Sequence, residues 1–132
     1  MRRSVLDSYA VLAFLFHEAG YEKITDLFEK AVQADQDALI AAPNWAEVRY
    51  IVERKVGPAR WRETRHKLLG LPLEVIPADL SLAELAGEIK STRKMSLGDC
   101  FAAALAKQRK AHLYTGNPEF KAVETDIEIV WL

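Results

Sequence analysis

Three observations on this 132-residue chain predict an α/β fold built on a mostly parallel sheet. Short apolar runs alternate along the chain with longer stretches whose apolar residues recur at helical spacing. Half of the residues are hydrophobic, which at this length supplies one real core and hence a single domain over residues 1–132. Acids stand at the ends of apolar runs or at the starts of the helices that follow, where open α/β folds collect their chemistry.

The first run, Ser4 to Leu6, reads as a strand; Asp7 ends it and a helix begins near Tyr9. Tyr21, Ile24, Leu27, Phe28 and Ala31 mark the apolar face of the next helix, and Ala38 to Ala41 reads as the second strand. After Pro43 a helix carries Trp45, Val48, Ile51 and Val52, with Asn44-Trp45-Ala46-Glu47 resembling a capping box that has Asn as the cap. Gly57-Pro58 breaks that helical region in two, and Gly70 and Pro72 end its second piece. Leu73 to Ile76 forms the third strand, left through Pro77; Leu82, Leu85, Ala86 and Ile89 lie on the following helix. Ser96-Leu97-Gly98-Asp99 reads as a second capping box, opening a helix with Leu97, Phe101, Ala104 and Leu105 on one face. His112 to Thr115 and Glu128 to Trp131 complete five strands, joined by right-handed crossovers with helices on both sheet faces.

With 18 basic against 19 acidic residues, the bulk field attracts no polyanion, and any nucleic-acid surface is local. The lone Cys100 forms no internal disulfide and no zinc cluster; beside Phe101 and small alanines it reads as a packing residue. Met1-Arg2-Arg3 before Val5 to Phe16 imitates a signal peptide, but Asp7 interrupts the apolar stretch and no cleavage pattern follows. No segment is long enough to span a bilayer, so a soluble cytoplasmic protein is expected. His17, His66 and His112 lie far apart without ligand spacing, and no Gly-rich phosphate loop is present.

Asp7, Glu47 and Asp99 each have an ordinary structural use. Asp7 suits an N-cap, Glu47 a first-turn position and Asp99 the third residue of a capping box. Their convergence tells more, because in a parallel sheet the starts of successive helices line one edge. At an effective dielectric of about 20, two carboxylates about 4 Å apart repel by on the order of 4 kcal/mol, and a divalent cation removes that penalty. Hard oxygen ligands favour Mg²⁺ or Mn²⁺ over Zn²⁺, ions that keep waters and accept substrate phosphates. The chemistry this implies is metal-assisted phosphodiester hydrolysis.

Val5-Leu6-Asp7-Ser8, Asn44-Trp45-Ala46-Glu47-Val48, the run Ser96 to Ala104 and Thr115-Gly116-Asn117-Pro118-Glu119-Phe120-Lys121 together resemble a PIN domain of the VapC toxin ribonuclease type, nearly end to end. The resemblance implies a three-layer α/β/α sandwich with a five-stranded parallel sheet. It implies an acidic pocket of Asp7, Glu47 and Asp99, with one or two Mg²⁺ or Mn²⁺ ions that activate water against an RNA phosphodiester. Where the family commonly has a fourth acid, this chain has Asn117, a weaker ligand through its carbonyl; Glu119 is either a substitute or an exposed turn residue. Ser8 and Thr115 would orient the carboxylates. Arg93, Lys94 and Lys121, with Arg2, Arg3, Lys107 and Lys110, are possible RNA contacts, solvated surface charge being their ordinary use. A homodimer and a separate antitoxin are implied, the antitoxin lying in a groove that involves Phe14, Phe16 and Tyr21. Two other classes remain: an RNA- or protein-binding module without turnover, consistent with Asn117, and a structural subunit whose acids only cap helices. Metal-dependent stabilisation would separate the last from the others.

Overall fold

The computed structural model describes residues 2–132. Five strands, β1 (Ser4–Leu6), β2 (Ala38–Ala41), β3 (Leu73–Ile76), β4 (His112–Thr115) and β5 (Ile129–Trp131), form one sheet in the order β3-β2-β1-β4-β5. Every pairing is parallel. Six α-helices connect them: α1 (Ser8–Leu15), α2 (Tyr21–Ala34), α3 (Ala42–Val56), α4 (Pro58–Leu69), α5 (Leu80–Thr92) and α6 (Leu97–Arg109), with a 3₁₀ helix over Pro118–Val123.

Alternation along the strands divides the interior. Val5, Leu39, Ala41 and Leu113 point into one core with Leu82, Ala86, Leu105 and Phe120, whereas Leu6, Ala38 and Ile40 point into the other with Ile24, Val48, Val52 and Trp61. The sheet is therefore covered on both faces, by α5 and α6 on one side and by α1 to α4 on the other, as a three-layer α/β/α sandwich. That burial explains why β2 is apolar throughout instead of alternating with polar residues.

The chain winds from β1 outward to β3, then returns to lay β4 on the opposite flank of β1. This reversal is a topological switch point, with the ends of β1 and β4 side by side. Leu6 is in register with Tyr114, so Asp7 and Thr115, one residue on, meet at the carboxyl edge.

Two boundaries differ from the sequence reading. Helix α3 starts at Ala42, with Pro43 in its first turn, so Asn44 is not the cap but a fully buried helical residue. Pro43 fits there because its missing N–H is an orphan position in any helix. β5 begins at Ile129 instead of Glu128, and the 3₁₀ helix after Asn117 is an addition. Among the described residues no helix is long and apolar enough to cross a membrane.

Candidate acidic site

Asp7 spends both carboxylate oxygens on holding two elements together. Its Oδ1 accepts from the Ala10 amide at 2.8 Å, capping α1, and its Oδ2 accepts from the Thr115 hydroxyl at 2.5 Å, tying β1 to β4. Only 1% of the residue is exposed. The Thr115 hydroxyl in turn accepts from the Asn117 amide at 3.0 Å, which fixes the turn after β4.

Asp99 arrives from the other core layer. Ser96 caps α6 by accepting from the Asp99 amide at 3.2 Å, half of the capping box read from the sequence, while Asp99 turns its Oδ2 to the Asn117 Nδ2 at 3.1 Å. A continuous line of hydrogen bonds therefore runs Asp7, Thr115, Asn117, Asp99. Asn117 presents its amide nitrogen to this cluster, and its Oδ1 accepts from the Glu119 amide at 3.1 Å. For the carbonyl to meet a cation, the amide must turn over and release that N–H. Glu119 is exposed in the 3₁₀ helix, yet its carboxyl is near enough to Asp99 to disfavour the charged form of that acid.

Glu47 is held by two contacts the local sequence does not announce. Asn44 Nδ2 donates both to Glu47 Oε1 and to the Gly98 carbonyl, each at 2.9 Å, which links α3 to the first turn of α6. The Glu47 carboxylate lies flat against Gly98: a Cβ there would stand 2.6 Å from Oε1 and 2.7 Å from Oε2. Asn44 Oδ1 is buried without a hydrogen-bond partner. The Asn44–Gly98 bond spans 54 residues, and no periodicity would have found it.

Burial pushes the Asp7 carboxyl up to about 7, against the Thr115 hydroxyl and the Ala10 amide, which favour its charged form. Asp99 and Glu47 add repulsion. Burial likewise raises Asp99 to about 6, with the Glu119 carboxyl and then the charge of Glu47 adding to the rise and the Ser96 hydroxyl opposing it. Asp7 thus feels the charges of Asp99 and Glu47, and Asp99 those of Glu119 and Glu47, with no cation among the groups that shift either one.

A hard cation suits this donor set. The facing groups are oxygens, with His17 stacked on Tyr21 and His112 beside Glu128, and a positive charge would restore the ionised forms that burial disfavours. Among the described residues no three His, Cys, Asp or Glu side chains are placed to hold one metal ion together, so Asp7, Glu47 and Asp99 do not converge on a single three-acid site in this arrangement. Binding through one or two carboxylates, with water and substrate oxygens completing the shell, is how Mg²⁺-type ions are usually held.

The remaining expected residues are placed as follows. Ser8 opens α1 half-buried, while Ala10 and Thr115 are the groups that hold Asp7. Arg93 is tied down, its Nε donating to the Ala122 carbonyl at 3.1 Å and its guanidinium 3.4 Å from Asp126. Lys94 and Lys121 are exposed. Phe14 packs edge-on against Phe28 and Tyr21 stacks on His17, so of the three aromatics only Phe16 lines the groove of about 290 Å³ between α1, α3 and α4.

Comparison with known proteins gives a consistent picture. The family model described as PIN domain matches residues 4–125. A VapC ribonuclease of Mycobacterium bovis and ribonuclease VapC30 of Mycobacterium tuberculosis are each 27% identical over 135 residues, an alignment that spans 97% of this chain and 98% of theirs. Among solved structures, DNA-bound VapBC from Salmonella typhimurium superposes with a TM-score of 0.78 at 20% identity, covering 98% of both chains. VapC20 of Mycobacterium tuberculosis, described as a toxin that cleaves the sarcin-ricin loop, does so with a TM-score of 0.67 at 17% identity over 91% of this chain and 94% of its own.

Proposed function

The chain belongs to the PIN-domain family, and from that premise we propose that it is a metal-dependent endoribonuclease, the toxin of a toxin–antitoxin pair. The observation that carries the reading is the pair of buried acids, Asp7 and Asp99, raised to about 7 and about 6 and fixed from opposite sides by Thr115 and Asn117. Buried acids with strongly shifted pKa values mark functional sites more often than structural ones. The full-length likeness to VapC ribonucleases supports RNA as the substrate.

Asp7, Asp99 and Glu47 would hold one or two Mg²⁺ or Mn²⁺ ions, with Asn117 or Glu119 as an additional oxygen donor. Bound there, the cation would supply positive charge to the phosphodiester and acidify the attacking water. Thr115 fixes the orientation of the Asp7 carboxylate and the Asn44 amide fixes that of Glu47, so the donors are placed before substrate arrives. Hydrolysis by water leaves a 5′-phosphate and a 3′-hydroxyl; a cyclic phosphate product would rule this route out.

The test is cleavage of mixed RNA, with single-stranded and tRNA fractions kept separate, by the wild type with Mn²⁺, with EDTA, and by Asp99→Asn. Loss of cleavage with chelator and with the mutation is expected. In parallel, Mn²⁺ at about 100 times its dissociation constant should stabilise the wild type by about 2.7 kcal/mol. A second reading, a binding module without turnover, is favoured by the neutral Asn117 and predicts RNA binding without cleavage under every condition. The assembly proposed is a homodimer that an antitoxin segment silences, and light scattering showing only monomer over a broad concentration range would count against the dimer.

A further inference from the structure

The charge of this chain is near zero overall but divided in space. Seven of its 18 basic residues, Arg49, Arg54, Lys55, Arg60, Arg62, Arg65 and Lys67, fall between positions 49 and 67, with only Glu53 and Glu63 among them. The rest of the chain holds 11 basic residues against 17 acids. All seven are exposed on the hairpin formed by α3 and α4. Its two ion pairs, Arg49–Glu53 at 3.5 Å and Arg60–Glu63 at 3.8 Å, are solvent-facing and barely reduce its field. Among the described residues no acid pairs with Arg54, Lys55, Arg62, Arg65 or Lys67.

Arg49, Arg54 and Lys55 stand beside aromatic rings and lie on α3, the helix that leaves the acidic site. Arg54 lies 5.0 Å over the exposed Tyr50 ring and Lys55 4.2 Å over that of Phe16. α3 carries Glu47 in its second turn, and from there to Val56 it runs about 14 Å away from that acid at about 1.5 Å per residue before α4 folds back. A strand whose phosphate sits at the acids is repelled by their charges unless a basic track takes up its flanking phosphates. Arg93, bonded to Ala122 and Asp126, is not free for that task.

We propose that the α3–α4 hairpin is the surface that binds the phosphodiester backbone of the RNA on one side of the cleaved bond, with Tyr50 and Arg54 as a stacking platform for a base. This rests on the ribonuclease reading above and adds the location of the substrate's flanking strand. The occupant is RNA and not an acidic protein segment because Glu47, Arg49, the exposed Tyr50 ring and Arg54 follow one another along one helix, the combination of charge and stacking used for single strands.

The experiment compares wild type with the triple variant Arg62→Glu, Arg65→Glu, Lys67→Glu, none of which touches the acids. Long mixed-sequence single-stranded RNA and a short oligonucleotide are cleaved in parallel, and salt dependence of binding to the long RNA is measured in an Asp99→Asn background. The variant should raise KM for long RNA by about tenfold or more with kcat nearly unchanged, leave the short substrate alone, and lower the log–log salt slope by about 2. Replacement of the same three residues by Gln, a milder change to the fold, should give a smaller shift in the same direction. An unchanged KM and slope in variants that melt like the wild type overturns the proposal, as does a variant that cleaves normally but no longer binds an acidic antitoxin peptide. If the wild type neither binds nor cleaves any RNA, it is the ribonuclease reading that fails.

Discussion

Gly98 shows how much one missing side chain decides. The Glu47 carboxylate occupies the space a Cβ would need, so Gly98→Ala should push that carboxylate away from Asp99 and reduce cleavage at least tenfold. Alanine in the first turn of α6 is intrinsically favoured over glycine by up to about 1 kcal/mol, so the thermal melt should not fall in proportion. A variant that cleaves as well as the wild type would show Glu47 to be dispensable. The buried acids make a second prediction. Their folded values lie above the ordinary 3.8, at about 7 for Asp7 and about 6 for Asp99, so the folded chain holds more protons than the unfolded one between those limits. Stability in EDTA therefore falls as pH rises from about 4 to about 7, and the metal-free melt should be lower at about pH 8 than at about pH 5. Asp7→Asn, which keeps the helix cap, should flatten that slope; calorimetry across the window checks both. At this scale the sequence was informative about which acids converge, because each sits beside an element boundary. It misled about Asn44, which was read as a helix cap and instead bonds a side chain one helical turn away and a carbonyl 54 residues away.

Elements were easier to read than their contacts. Four strands fall within the runs of apolar residues that suggested them and the fifth is one residue shorter, because in a sheet covered on both faces an apolar run needs no alternation to be recognised. Gly57, with φ +90°, separates α3 from α4 where the Gly-Pro pair predicted a break. The start of α3 was misread because Asn44 has the chemistry of a cap, and only the tertiary bonds to Glu47 and Gly98 reveal that it is used elsewhere. The α3–α4 pair is locked by Trp61, 2% exposed, whose ring meets Trp45 edge-on with centroids 5.7 Å apart. Trp61→Ala should cost about 3–5 kcal/mol in urea unfolding. A loss below about 1 kcal/mol would show that α4 is held by other contacts.

In the molecule as a whole, the sheet order makes the centre of the fold its latest pairing. β1 waits for β4, and the register Ser4 with His112 joins the two ends of the chain. A chain ending at Ala111 would lack β4 and β5 and leave β1 with an unpaired edge at the heart of the sheet. Such a truncation should lose its cooperative thermal transition; a sharp melt would mean that β3, β2 and β1 suffice with their helices. The bond between Thr115 and Asp7 has a consequence in time as well. It spans 108 residues, and ribosomes add about 5–20 residues per second, so roughly 5–20 seconds pass between the making of Asp7 and the arrival of the hydroxyl that orients it. Until Thr115 has been made, Asp7 lacks the hydroxyl that orients it, and the line of hydrogen bonds from Asp7 to Asp99 cannot close.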